Sequence, residues 1–297
     1  MPETPVSGSP LHVREATGAD EIVVLEPGRS PAETVMMLAD RLVTDAQGES
    51  LVWDELPAAD VGAIALTIRQ AWLGERIRTD ARCPNPGCRE RMDIAFEIPA
   101  YLAHHRPKPC PGVTRAPDPG WFELASAVPA QAIVSASADE GAEGAEASAS
   151  VVAGAVAGAA VDEPADAPVL FRLPTIGDLR VALSSPDPEE CLRERCVRPA
   201  SVPDDVAHRV SEAMEALAPS LGGTVTMECP ACGGSAELGF DPVSYSLTEL
   251  RAAAAGLYEE VHLLASTFHW SEAAILALRR SRRTRYADLV RRDRAAA

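Results

Sequence analysis

The cysteines are the residues of this chain whose type and spacing carry a chemistry. Cys83 and Cys88 bracket Pro84-Asn85-Pro86-Gly87, and Cys229 and Cys232 bracket Pro230-Ala231. Thiolates held in tight turns are soft donors for a tetrahedral ion such as Zn²⁺, and the backbone N–H groups of the turn face the sulfurs. Two such pairs make one four-thiolate site with no open coordination position, which reads as structural rather than catalytic. Counted from the second cysteine, an acid stands at +5 (Asp93, Glu237), a Phe at +8 (Phe96, Phe240) and a Tyr at +13 (Tyr101, Tyr245) in both copies. The pairs lie about 140 residues apart, well beyond the spacing of about 15–20 that marks a contiguous zinc ribbon. A shared site therefore needs two copies of one unit facing each other about a pseudo-twofold. The expected ligands are Cys83, Cys88, Cys229 and Cys232, holding one structural Zn²⁺ per chain. Competing readings are a redox pair, for which no thioredoxin-like βαβ pattern is present, and metal-free buried thiols. His104, His105 and Cys110 offer a local alternative that would complete a site with Cys83 and Cys88. Cys191 and Cys196, five apart on a helix, do not face one ligand together and read as buried or half-buried thiols.

The elements that must position these cysteines also recur. Residues 76–82 and 91–98 alternate as hairpin strands do around the first pair. A helix over 60–73, with Val61, Ile64, Ala65, Ile68, Ala71 and Trp72 at helical spacing, precedes it. A helix over 204–218 precedes the second pair. Further upstream Arg14-x-x-Thr17-x-x-Asp20 is echoed by Arg172-x-x-Thr175-x-x-Asp178. Residues 11–25, ending in Ile22-Val23-Val24-Leu25, read as a strand region. Ser30-Pro31-Ala32-Glu33 is a capping box opening a helix over 31–45. Ser246-Leu247-Thr248-Glu249 is a second box, opening an amphipathic helix to about Thr267 that His269-Trp270 breaks. Ser271 then caps a second helix, with Ile275 and Leu278 inward, and 281–294 form a third. His262 and His269 read as packing or capping residues.

The expected fold is α+β: two diverged zinc-knuckle repeats forming a zinc-ribbon-like core, followed by a C-terminal helical module. Repeat A covers 11–111, repeat B covers 169–246 and the helical module covers 247–297. Residues 1–10 read as a disordered N-terminus. Residues 112–168 read as a disordered linker, because 126–168 hold seven acids, no Lys or Arg and no aromatic residue.

Of 297 residues, 46% are hydrophobic, and the net charge is −17. Such an acidic chain is not, as a whole, built to hold nucleic acid. The N-terminus has no basic segment leading into an apolar one, and the longest apolar run, Val151 to Val161, is too short for a bilayer. A cytoplasmic, non-membrane protein is expected. The charge is uneven, with eight Arg against two Asp in residues 279–297. Trp270, Arg279, Arg280, Arg282, Arg283 and Arg285 are the expected partner contacts, since Trp and Arg dominate interface energetics. No Gly-rich phosphate loop, G-x-S-x-G or H-E-x-x-H is present, so no enzyme is expected.

Several pieces together are similar to one family. They are Arg14-Glu-Ala-Thr-Gly-Ala-Asp20, Trp72-Leu-Gly-Glu-Arg76, the first knuckle with Met92-Asp-Ile-Ala-Phe96, and Cys229-Pro-Ala-Cys-Gly233. Leu257-Tyr-Glu-Glu-Val-His262, Phe268-His-Trp-Ser-Glu272, Ile275-Leu276 and Arg285-Tyr286 complete the set. They resemble the T4-type baseplate proteins encoded with contractile phage tails and phage-tail-like extracellular contractile injection systems. The resemblance covers both ordered blocks and the C-terminal helices, but not 112–168. It implies a baseplate or tail-assembly role without catalysis, with tail and baseplate proteins as partners. The alternatives from other classes are a zinc-ribbon DNA-binding regulator using the Arg-rich helix, and an enzyme whose site lies between the repeats.

Overall fold

In the computed structural model, which describes residues 8, 10–125 and 168–296, one element order occurs twice. The first half runs β1 (His12–Val13), α1 (Gly18–Leu25), α2 (Pro31–Leu42), β2 (Val43–Thr44), α3 (Asp60–Leu73), β3 (Arg76–Arg82), β4 (Arg91–Glu97) and α4 (Ile98–His104). Strands β5 (Val113–Arg115) and β6 (Trp121–Leu124) follow. The second half runs β7 (Val169–Arg172), α5 (Ile176–Ala182), α6 (Pro188–Cys196), β8 (Val197–Arg198), α7 (Asp204–Leu217), β9 (Gly223–Glu228), β10 (Ser235–Phe240) and α8 (Pro242–Ala254). Helices α9 (Leu257–Phe268), α10 (Glu272–Leu276) and α11 (Arg280–Ala296) close the chain. Among the described residues all strand pairs are antiparallel: β1–β2, β3–β4, β9–β10 and the four-stranded sheet β5-β6-β7-β8. The protein is thus mixed α+β, with small antiparallel sheets and helices at the C-terminal end.

The Arg-x-x-Thr-x-x-Asp spacing is a helix cap. Thr17 and Thr175 are the N-caps of α1 and α5, and Asp20 and Asp178, at the third helical position, accept bonds from the threonine N–H and hydroxyl. The same carboxylates take both arms of the upstream arginine, Arg14 or Arg172, and the Nε of a second, Arg41 or Arg195, at 2.8 Å. Arg41 and Arg195 each stand two residues before the start of β2 or β8, at Val43 and Val197. One buried carboxylate therefore ties the incoming strand, the helix start and the returning strand in each half. This cap explains a difference from the sequence reading: Ile22 to Leu25 are helical, not extended. Val23 and Val24 of that apolar run are buried, Ile22 and Leu25 half-buried, and an N-terminal capping box outweighs β-branched propensity.

Other boundaries shift for similar local reasons. Helix α2 stops at Leu42 because Val43 enters β2. Asp241, not Ser246, caps α8, accepting from the N–H groups of Val243 and Ser244. Ser246 is a buried residue inside the helix. The single helix expected from 247 to 267 is two, divided at Ala255-Gly256. His269, with φ of 58°, ends α9 in the left-handed region, and Ser271 caps α10 as its sequence suggested. The expected linker begins too early. Residues 113–124 form a hairpin on β7, where Trp121 to Leu124 pair with Val169 to Arg172. The rest of that linker, 126–167, and most of the N-terminal segment expected to be disordered lie outside the described residues.

The halves exchange segments. Helix α8 lies across α1, α2 and α3, and its Leu247, Leu250 and Ala254 complete the core built by Val24, Leu38, Ile64 and Ile68. Arg69 on α3 reaches Glu249 on α8, and Arg251 donates to the Val24 carbonyl. Conversely, the chain leaving α4 runs along α7, where Lys108 N–H meets the Ala216 carbonyl. It then supplies β5 and β6 to the second core around Phe171, Val210 and Ala213. Both caps also accept a short antiparallel bridge, Thr17 with Arg279 and Thr175 with Pro57.

Burial alone would raise Asp20, but the bonds from Arg14, Thr17 and Arg41 reverse this and hold it at about 2, below its usual 3.8. Asp178 is lowered in the same way by Arg172, Thr175 and Arg195. Because the folded-state value lies below the unfolded one, this stabilisation is complete above about pH 4 and vanishes as pH falls through about 2. The expected loss over that window is on the order of 2 kcal/mol from Asp20, read from urea melts at stepped pH. Asp20→Ala is expected to cost about 2–3 kcal/mol at pH 7 and to flatten this part of the pH profile.

Candidate metal centre

Each cysteine pair sits at the tip of a two-stranded hairpin. In β3–β4 the last strand pair is Arg82 with Arg91, after which Cys83 N–H bonds the Glu90 carbonyl and Cys88 N–H bonds Asn85. The Asn85 side chain accepts from Gly87 N–H, which tightens the four-residue turn to do the work of a two-residue one. In β9–β10 the pair Glu228 with Ser235 leads to Cys229, whose N–H bonds the Gly234 carbonyl. The residue after the second cysteine is left-handed in both knuckles, Arg89 at φ 55° and Gly233 at 66°. In the first knuckle the N–H that follows this reversal, that of Glu90, reaches the Cys88 sulfur.

The two tips meet. Cys83 Sγ lies 3.9 Å from Cys232 Sγ, and Cys88 Sγ lies 3.8 Å from Cys229 Sγ, so the first cysteine of each pair faces the second of the other. All four sulfurs fall within 4.8 Å of one another. Thiolates about 2.3 Å from a central ion stand about 3.8 Å apart at the corners of a tetrahedron. A disulfide needs about 2.0 Å, so these are separate thiols placed as ligands, and the cluster could hold a metal ion such as zinc. Among the described residues it is the group of His, Cys, Asp and Glu side chains so arranged.

The electrostatics fit that use. The N–H groups of Cys232 and Ala231 lower Cys229 to about 7. The Glu90 N–H acts in the same sense on Cys88, but desolvation and the Cys232 and Cys229 thiols push it up to about 12. The Asn85 N–H acts to lower Cys83, but burial and the Cys229 and Cys232 thiols leave it raised. Four sulfurs this close do not all ionise without a cation among them, and a bound cation supplies the missing charge.

Met92, Ala236, Met227 and Leu238 pack with the sulfurs, and the shared Phe and Tyr register lies at the far ends of the two hairpins. Phe96, Tyr101, Phe240 and Tyr245 form one cluster, with Phe96 and Phe240 edge to face at 5.6 Å. The Tyr101 hydroxyl crosses over to donate to the Leu221 carbonyl of the second half. Tyr245 is pushed up to about 12 by burial and then by the Glu249 carboxylate. The acids of the register, Asp93 and Glu237, are exposed and take no part.

Other sequence candidates separate in space. His105 bonds the Tyr101 carbonyl through Nδ1, and with His104 and Lys108 lines a hollow against α7. Neither histidine nor Cys110 joins the sulfurs, because the second hairpin already supplies the missing pair. Cys196 is buried beside Asp178 and pushed up to about 11 by that burial, and Cys191 is half-buried.

The arginines divide as well. Arg283, expected at a partner surface, is 1% exposed and lies between Glu21 of α1 and Glu260 of α9, at 2.7 Å from each. Its guanidinium sits against Gly18, where a Cβ would come within 2.8 Å. It is a tie within the fold, and nothing in a run of arginines distinguishes the one whose partners are 262 and 23 residues away. Arg279 pairs with Glu15, and Arg280 donates to the Ala253 carbonyl beside the Trp72 ring. Arg282 lies over the Tyr286 ring, and Arg285 is exposed. Trp270, 37% exposed, stacks on Phe268 at 5.0 Å and meets Tyr286 edge on, an aromatic patch on the C-terminal helices.

A scan against protein-family models finds no match, and neither do searches of the curated proteins and of the solved structures.

Elemental analysis of purified protein is expected to find about one zinc per chain, with Cys229→Ser losing it and lowering the melting temperature of both halves together. Two ions per chain, or unchanged content in that variant, would contradict a shared site. Arg283→Met is expected to cost about 3–5 kcal/mol by leaving two buried carboxylates unpaired, whereas Arg285→Ala should stay within about 0.5 kcal/mol. Urea denaturation distinguishes the two.

Proposed function

We propose that Cys83, Cys88, Cys229 and Cys232 hold one structural Zn²⁺ per chain. The ion staples two diverged copies of one unit into a zinc-ribbon-like core. The observation that carries this is the convergence of four sulfurs from two separate hairpins at ligand spacing. On this reading the protein is a non-enzymatic scaffold. The zinc fixes the relation of the halves, and the C-terminal helices present the Phe268, Trp270 and Tyr286 patch, with Arg282 and Arg285, to a partner.

We further propose that the partner belongs to a contractile phage-tail-like particle, as a baseplate component or assembly factor. The support is the likeness of the cap motif, the knuckles and the Phe268-His-Trp-Ser-Glu272 segment to the T4-type baseplate family. The DNA-binding regulator is the weaker reading. Of the arginines it would use, Arg283 is buried and Arg279 is tied to Glu15.

No helix among the described residues is long and apolar enough to cross a membrane. A cytoplasmic site of action, before any incorporation into a particle, remains part of the proposal.

The test is a tagged pull-down from the native host after nuclease treatment, with co-purifying proteins identified by mass spectrometry. Sheath, tube or baseplate proteins are expected, and Phe268→Ala with Trp270→Ala should deplete them. Deleting 247–297 is the wrong control, because most of α8 would go with it and the first core would open. Recovery of nucleic acid without nuclease, and of no tail protein, would move the assignment to the regulator.

A further inference from the structure

We propose that the four-thiol cluster is an oxidation site for hydrogen peroxide. Oxidation converts it to two disulfides, Cys83–Cys232 and Cys88–Cys229, which bridge the two halves and expel the metal. The pairing rests on the positions of the sulfurs, and the expulsion of the metal rests on the zinc reading above. The staple thus changes its chemistry without opening.

Each sulfur faces one of the other hairpin. Cys83 Sγ is 3.9 Å from Cys232 Sγ, and Cys88 Sγ is 3.8 Å from Cys229 Sγ. Closing either pair to a disulfide needs a shift of about 1 Å for each sulfur. The hairpins are also held together away from the thiols. Phe96, Tyr101, Phe240 and Tyr245 join their far ends, and the Tyr101 hydroxyl donates to the Leu221 carbonyl. Met92, Met227, Ala236 and Leu238 pack around the sulfurs. The tips therefore stay opposed as the metal leaves, and each freed thiol meets its partner across the gap. Access is graded: Cys232 is exposed, Cys88 half-buried, and Cys83 and Cys229 buried. Each facing pair thus joins one sulfur that peroxide can reach to one that is shielded. The Asn85 amide of the first hairpin donates to the Cys232 sulfur at 4.0 Å.

The Cys232 thiolate attacks one peroxide oxygen, and the O–O bond breaks. One oxygen stays on the sulfur as a sulfenic acid, and the other leaves as hydroxide and takes a proton to become water. Cys83 then attacks the sulfenic sulfur, the S–O bond breaks, and the second oxygen leaves as water. Each disulfide takes two electrons from two thiols and gives them to one peroxide. The protons come from the thiols, or from solvent where the sulfurs are metal-bound thiolates. After the first disulfide the metal keeps two thiolate donors, too few for a closed tetrahedral site. Cys88 repeats the step with a second peroxide and Cys229. Two disulfides, across separations of 149 and 141 residues, then replace the ion as the cross-link.

The experiment treats the full-length, reduced protein with hydrogen peroxide at about two equivalents per chain. Released zinc is read with a chelating dye, and disulfides are mapped by mass spectrometry after alkylation. Cleavage at arginine places the two knuckles in separate peptides, and electron-transfer fragmentation locates each bond. The expected result is the two knuckle peptides joined through Cys83–Cys232 and Cys88–Cys229, with full loss of the metal. Dithiothreitol with added zinc should reverse both. The oxidised protein should melt above the reduced, metal-stripped one. Cys110, Cys191 and Cys196 lie outside the cluster and should stay alkylatable. Disulfides closed within a knuckle, Cys83 with Cys88 or Cys229 with Cys232, would overturn the proposal. So would oxidation that falls first on the three other cysteines. A protein that holds zinc and keeps all four thiols under excess peroxide would overturn it and leave the zinc reading standing. Cross-hairpin disulfides in a protein that never carried zinc would support the pairing and sink the zinc reading.

Discussion

The meeting of two hairpin tips is the constraint on which the rest of this structure depends. Cys88 and Cys229 are 141 residues apart and Cys83 and Cys232 are 149, yet their sulfurs lie within 4 Å. A metal ion cross-linking that span would remove on the order of 5 kcal/mol of chain entropy from the unfolded state. It would also fix which hairpin tips face each other, with the Phe96, Tyr101, Phe240 and Tyr245 cluster joining their far ends. With the hairpins facing each other, the chain that follows each one reaches the opposite half: α8 to the first core, and the segment after α4 to the second. The exchange means that neither half is complete alone.

Within each half the organising element is one buried carboxylate between two arginines. Asp20 and Asp178 do the same work, satisfying the helix start while tying the strand before it and the strand after the next helix. Such a charge is tolerated only because every lone pair is used. The Glu21, Arg283 and Glu260 tie extends the same device to the C-terminal helices, which are thereby anchored to α1. Only the first half has this third tie: the register partner of Glu21 is Leu179. The halves have thus diverged in what covers them. The first is closed by α8 and by α10–α11. The second is closed on one side by the β5–β6 hairpin and keeps an open groove between α6 and α7.

How much of this was legible depends on the range over which each signal acts. The hairpins, α3 and α7 were visible because hydrophobic periodicity and turn chemistry are local. The four-thiol cluster was visible because thiol pairs are rare and their Phe and Tyr register repeats. The Arg-x-x-Thr-x-x-Asp spacing was seen, but its use as a cap was not, and so Ile22 to Leu25 looked like a strand. The start of α8 was misplaced because two capping residues, Asp241 and Ser246, compete, and Pro242 favours the first.

By itself, the sequence determined the local pieces: which turns hold thiols, which segments alternate, where α2, α3, α7 and α10 begin, and that two units share one plan. Those follow from short-range sterics, capping and spacing. Only the tertiary structure decided which pieces meet. It brought four sulfurs to one point, put α8 on the opposite half, and buried Arg283 while leaving Arg285 in water. Identical side chains in one run differ only in what the fold sets beside them, and for Arg283 that depends on partners 23 and 262 residues away.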